Sequence, residues 1–142
     1  MKAGLYTPGL FGNPQIGNEF KYARTLNFAG PSSPEKYVRE VAWVASQCAP
    51  PVSKGDLNYY FDHDLTNTAQ QINTSRVSVY FLTGEYDPSS SPEDTQEMAK
   101  QIKGAKFVEM KGLSHFGMAE NPPVFKKYLM PILNEIAKQG TK

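Results

Sequence analysis

The stretch from Arg76 to Glu120, RVSVYFLTGEYDPSSSPEDTQEMAKQIKGAKFVEMKGLSHFGMAE, constrains the fold more than any other part of the chain. Val77, Val79, Phe81 and Leu82 form a short run rich in β-branched and aromatic residues, which predicts a mostly buried strand ending at Gly84. Ser91-Pro92-Glu93-Asp94 predicts a helix start, with Ser91 as N-cap, Pro92 in the first turn and Asp94 placed to close a capping box. Met98, Ala99 and Ile102 give that helix an apolar stripe, and Gly104 stops it. Phe107, Val108 and Met110 predict a second strand ending at Gly112. Asp87 therefore follows the first strand and His115 the second.

A strand–helix–strand unit of this length makes a right-handed crossover, so the two strands run parallel. Both loops then leave the carboxyl end of the sheet, where open α/β sheets place their ligands. Asp87 and His115 are thus brought to one edge despite their separation in sequence. A carboxylate against an imidazole fixes its tautomer and stabilises the imidazolium. Either residue alone says little, because a loop aspartate commonly forms a turn or caps a helix, and a lone histidine near a glycine is commonly structural. Order and shared edge make the pair the candidate acid and base. Glu85 is a second acid candidate, better suited to a structural hydrogen bond. Ser114, next to His115 in sequence, is poorly placed to be its nucleophile.

GEYD followed by SPED and then GLSHFGMAENP resembles the C-terminal half of an α/β-hydrolase. The resemblance implies that Asp87 takes the acid position in the G-x-x-D loop and His115 the histidine position, in the family order of nucleophile, acid, histidine. It implies a partial α/β-hydrolase fold, with short parallel strands and flanking helices over 75–142. Residues 1–74 would be a helical, loop-rich, cap-like segment, a part of the chain that resembles the family only loosely. No serine here has G-x-S-x-G flanks, and Cys48 in SQCAP does not match either. The nucleophile and the oxyanion loop are therefore expected outside this chain, and the chain alone is expected to be inactive. The implied chemistry is acyl transfer to water on an ester, amide, lactone or thioester with an apolar portion, with no cofactor. The family also contains dehalogenases and epoxide hydrolases with an aspartate nucleophile. The competing expectation is a non-catalytic ligand-binding or protein-interaction module derived from a hydrolase.

Composition limits the remaining classes. A length of 142 residues suits one domain with a real core, and a net charge of +1 implies no strong pull toward nucleic acid or an anionic membrane. One cysteine excludes an internal disulfide framework, fits a reducing compartment and makes the cytoplasm the expected location. No apolar run is long enough to span a bilayer. Eleven glycines and eleven prolines mark a loop-rich piece, consistent with a sheet edge that expects a missing N-terminal half or a second copy.

Glycines and prolines interrupt residues 1–31, yet Leu5, Tyr6, Leu10, Phe11, Ile16, Phe20, Tyr22 and Phe28 are too apolar for a free tail. Glu19 to Leu26 is expected to form a short helix. Ser32-Ser33-Pro34-Glu35 predicts a serine-capped helix carrying Val38, Val41, Ala42 and Ala45 on one face, widened by Tyr37, Val44 and Cys48 and flanked by Trp43. That face is expected to pack a core, to roof a substrate pocket, or both. Trp43, Tyr59, Tyr60 and Phe61 are the candidate substrate-binding residues, although the three consecutive aromatics could equally pin the first segment to the sheet. Asp62-His63-Asp64 lacks the supporting ligands of a metal site; Asp62 or Asp64 is expected to cap a helix before Leu65, with His63 at the surface or in a hydrogen bond. Thr66 to Ile72 is expected to be a short helix. A last helix from Asn121-Pro122 carries Phe125, Leu129, Ile132, Leu133 and Ile136 on one face, and Pro131 is expected to kink or break it near Leu129.

Overall fold

The computed structural model describes residues 14–48, 59 and 62–139. The strand–helix–strand unit is present. Strand β1 (Tyr80–Gly84) pairs in parallel with β2 (Lys106–Met110), with Tyr80 opposite Lys106 and Gly84 opposite Met110. Helix α3 (Pro92–Gln101) crosses between them and packs on both; α1 (Pro14–Leu26) and α2 (Glu35–Ser46) precede β1, and α4 (Gly117–Glu120) and α5 (Pro122–Gln139) follow β2. Helix α1 packs on α2, α2 reaches α4, and α5 lies against β2. This is a mixed α/β architecture with a two-stranded parallel sheet and flanking helices.

The crossover helix forms for the reasons read in its sequence. The Ser91 hydroxyl accepts a hydrogen bond from the Asp94 amide at 3.0 Å, and Pro92 occupies the first turn, where its missing N–H costs nothing. Ala99 and Ile102 turn inward. Gly104, at φ +87°, ends the turn that delivers the chain to β2. Buried Leu113 and Met110 seal the end of β2.

Several boundaries differ from expectation. Strand β1 begins at Tyr80 rather than near Val77, whose side chain is 65 % exposed. The cause is register. The partner strand starts only after the Gly104 turn, so the first ladder bond runs from the Lys106 amide to the Val79 carbonyl, and Val77 has nothing opposite it. Helix α1 starts at Pro14, five residues before the expected start. Helix α2 is not serine-capped. Pro34 occupies the N-cap position in an extended conformation, its carbonyl accepting from the Tyr37 and Val38 amides, while the Ser32 hydroxyl donates to the Gly112 carbonyl at 2.9 Å. A tertiary bond thus won over the local cap. Residues 66–72 hold only a turn and a 3-10 helix at Ala69–Gln71.

Pro131 does not break α5, which runs continuously from Pro122 to Gln139. Its interior proline costs about 3 kcal/mol in an isolated helix. Contacts beyond it hold the helix together: Ile132 is buried, Glu135 pairs with Lys106 at the start of β2, and Gln139 accepts from the Ser78 hydroxyl at 2.8 Å. The apolar residues expected near Leu5 to Phe11 lie outside the described residues.

Replacing Ser91 by Ala is expected to lower stability by about 1 kcal/mol, the usual worth of an N-cap. Leu113→Ala is expected to cost about 2–5 kcal/mol, the range for emptying a closed core site. Urea unfolding followed by circular dichroism measures both, and equal losses for the two would contradict the packing described.

Candidate active site

Two backbone bonds stitch the loop after β1 to the end of β2 and the loop beyond it, and a third closes a turn within the first loop. The Glu85 amide donates to the Met110 carbonyl, Tyr86 to Leu113 and Asp87 back to Gly84, at 3.0–3.1 Å. The approach at Gly84 is so close that a Cβ there would sit 2.4 Å from the Ser114 carbonyl oxygen. Only glycine fits. The Ser114 hydroxyl donates to the Tyr86 carbonyl at 2.7 Å, so that side chain is spent on holding the two loops together.

On this base the two candidate residues meet. His115 Nδ1 lies 3.0 and 3.1 Å from the two carboxylate oxygens of Asp87. An ionised carboxylate can only accept, so Nδ1 carries the proton and donates it, which leaves Nε2 as the acceptor of the neutral ring. Asp87 is itself fixed. Its Oδ1 accepts from the Ser89 and Ser90 amides at 2.8 and 3.2 Å, an Asx-type turn that sets the carboxylate plane. Phe28 and Phe116 stand edge-on to the imidazole, with centroids 5.4 and 4.7 Å away. The Asp87 side chain is 10 % exposed and that of His115 35 %, so the acid is sheltered and the ring is reachable. Among the described residues, no side-chain hydroxyl or thiol hydrogen-bonds to His115.

Both residues border a cleft of about 370 Å³ whose walls include Leu82, Met110, Phe125 and Leu129. Trp43 and Tyr59 do not line it. Trp43 is 62 % exposed on α2, and Tyr59 is 72 % exposed and stacks on His63 with centroids 5.7 Å apart. Tyr60 and Phe61 lie outside the described residues. Asp64 accepts from the Thr66 amide at 2.8 Å and so fixes a turn. No group of three or more His, Cys, Asp or Glu side chains is placed to hold a metal ion among the described residues.

Glu85 and Glu120 are the other two carboxylates that shape the site. Glu85 Oε2 accepts from the Gly112 amide at 2.9 Å and Oε1 from Lys111 Nζ at 3.2 Å, so it bridges the loops and does not face the histidine. Glu120 is buried, 1 % exposed, and accepts from the amides of Gly30 and Ser114. Sequence reading gave Glu120 no role. The available signal was a lone carboxylate between Ala119 and Asn121-Pro122, with no cation nearby in sequence.

No family model and no curated protein matches the chain. The chain is similar to a solved structure of a thermophilic esterase from Thermogutta terrifontis with malate bound. The TM-score is 0.62 at 21 % identity, over 92 % of this chain and 52 % of that one. The chain thus spans about half the length of the esterase, and what the two share is a hydrolase-like fold.

The Glu85 carboxyl sits below its ordinary value of 4.5, first because the Gly112 amide hydrogen-bonds its charged form and then because Lys111 does. A carboxylate depressed in the folded chain binds fewer protons than the same group unfolded. Its contribution is therefore present above about pH 4.5 and is lost as pH falls through the folded value. Glu85→Gln is expected to flatten the fall in stability below pH 4.5, read from urea midpoints across that range. An unchanged slope would show that the carboxylate does not bridge the loops in solution.

Proposed function

We propose that this chain supplies the acid and the base of an α/β-hydrolase acting on an ester, lactone, thioester or similar carbonyl compound with an apolar portion. The observation that carries the reading is the Asp87–His115 hydrogen bond at the carboxyl ends of two parallel strands. The likeness in fold to half of an esterase supports it. In this reading the nucleophile and the oxyanion donors come from outside the chain.

The chemistry then follows from the geometry. A hydroxyl brought to Nε2 gives its proton to His115 as its oxygen attacks the carbonyl carbon. Asp87 holds the Nδ1 proton and stabilises the imidazolium. His115 next protonates the leaving oxygen or sulfur as the acyl bond breaks. In the second half, Nε2 takes a proton from water as the water oxygen attacks the acyl group, and returns it to the nucleophile. Proton count is restored after each turnover.

The test is para-nitrophenyl ester hydrolysis and labelling by a fluorophosphonate probe. Both are measured on the chain alone and on the chain co-expressed with the polypeptide encoded immediately upstream. The lone chain is expected to show neither. Together with an upstream G-x-S-x-G polypeptide, hydrolysis is expected, and His115→Ala is expected to lower kcat by about 10⁴-fold or more. Hydrolysis by the lone chain would overturn the external nucleophile. Absence of labelling in both would favour the non-catalytic module, whose exposed apolar residues Met130, Leu133 and Ile136 on α5 would then be the surface to examine.

A further inference from the structure

The loop that carries His115 is held from beneath by a carboxylate that the proton relay does not use. Glu120 is 1 % exposed and has no cation among its hydrogen-bond partners. Its Oε1 accepts from the amide of Ser114, the residue before His115, and its Oε2 accepts from the amide of Gly30 at 2.9 Å. Charge-assisted bonds of this kind are about twice as strong as neutral ones, and burial strengthens them further. Gly30 lies in the turn between α1 and α2, 90 residues away in sequence. The same turn reaches the histidine loop twice more: the Ser32 hydroxyl donates to the Gly112 carbonyl, and Phe28 packs edge-on against the His115 ring.

We infer that Glu120 is a positioning residue for His115. Its two oxygens clamp the Ser114 amide to the Gly30 amide, so the α1–α2 turn sets where the imidazole stands relative to Asp87. The inference deepens the proposed hydrolase reading and rests on it for its catalytic meaning, but its geometric content is tested without turnover.

The chain has two histidines, and His63 lies outside this site, so it serves as an internal reference. The 142-residue chain labelled with 15N-histidine is compared as wild type, Glu120→Gln and Asp87→Asn. A carboxamide keeps the shape of Glu120 but sets an NH2 group against one of the two amides. In Glu120→Gln that retains its circular dichroism and cooperative melt, the Nδ1–H resonance of His115 is expected to be lost or to shift as it does in Asp87→Asn, with His63 unmoved. The double variant is expected to add nothing further. A folded Glu120→Gln with unchanged His115 signals would overturn the proposal.

If that variant does not fold, hydrogen exchange on the wild type decides. The Ser114 and Gly30 amides are expected to be protected at least 100-fold and to open together with the His115 Nδ1–H. Unprotected or independently exchanging amides would overturn it. A positive result here alongside a failed esterase assay would leave the clamp standing and remove only the hydrolase reading.

Discussion

Asp87 and His115 can meet only because β1 and β2 point the same way. Antiparallel strands would have sent one loop to each end of the sheet. The crossover helix enforces the direction, and its start is set by a serine cap and a first-turn proline. The site therefore also draws on local chemistry at Ser91, which lies outside it. Parallel pairing also fixes the register that sets Gly84 opposite Met110, and from there the loops diverge by only a few residues before they are tied again.

The ties are polar and closely spaced. Tyr86, Ser114 and Glu85 each bond across from one loop to the other, and Gly84 lets the backbones approach to a distance no side chain would permit. Each such bond contributes about 1 kcal/mol net, little by itself. Their effect is on geometry. They leave the two loops few independent motions, so the backbones that carry Asp87 and His115 stay at a fixed separation. Asp87 gains further order from the Ser89 and Ser90 amides. An imidazole held this way keeps one orientation toward its carboxylate.

The crossover unit was legible in the sequence because its signals are local. Alternating apolar residues, a capping serine and a terminal glycine act within a few residues of one another, and so the parallel strands, α3 and the shared edge follow from reading Arg76 to Glu120. What escaped the sequence reading was decided between distant segments. Ser32 lies where a helix cap would be, yet its hydroxyl reaches Gly112, 80 residues on. Val77 has the side chain of a strand residue but no partner opposite, because the start of β2 sets the register. Pro131 carries a real local cost, which the burial of Ile132 opposes together with the contacts of Glu135 with Lys106 and of Gln139 with Ser78. Glu120 is the clearest case: it stands in the GLSHFGMAENP stretch, but both of its partners are backbone amides, one of them 90 residues away in sequence.

The residues around the imidazole come from several segments of the chain. Asp87 and His115 belong to the crossover unit and the loop that follows it, but the Glu120 carboxylate that accepts from the Ser114 amide also accepts from the turn between α1 and α2, and Phe28 from the same turn bounds the ring. A cleft walled by Leu82, Phe125 and Leu129 opens beside the pair, so apolar surface and the half-exposed imidazole border the same space. Burying a carboxylate is costly unless each oxygen is satisfied, and here both oxygens are satisfied by amides from different parts of the chain. Neither part can shift without unpairing a buried charge. The N-terminal helices are therefore bound to the position of the histidine by the same physics that keeps Glu120 buried.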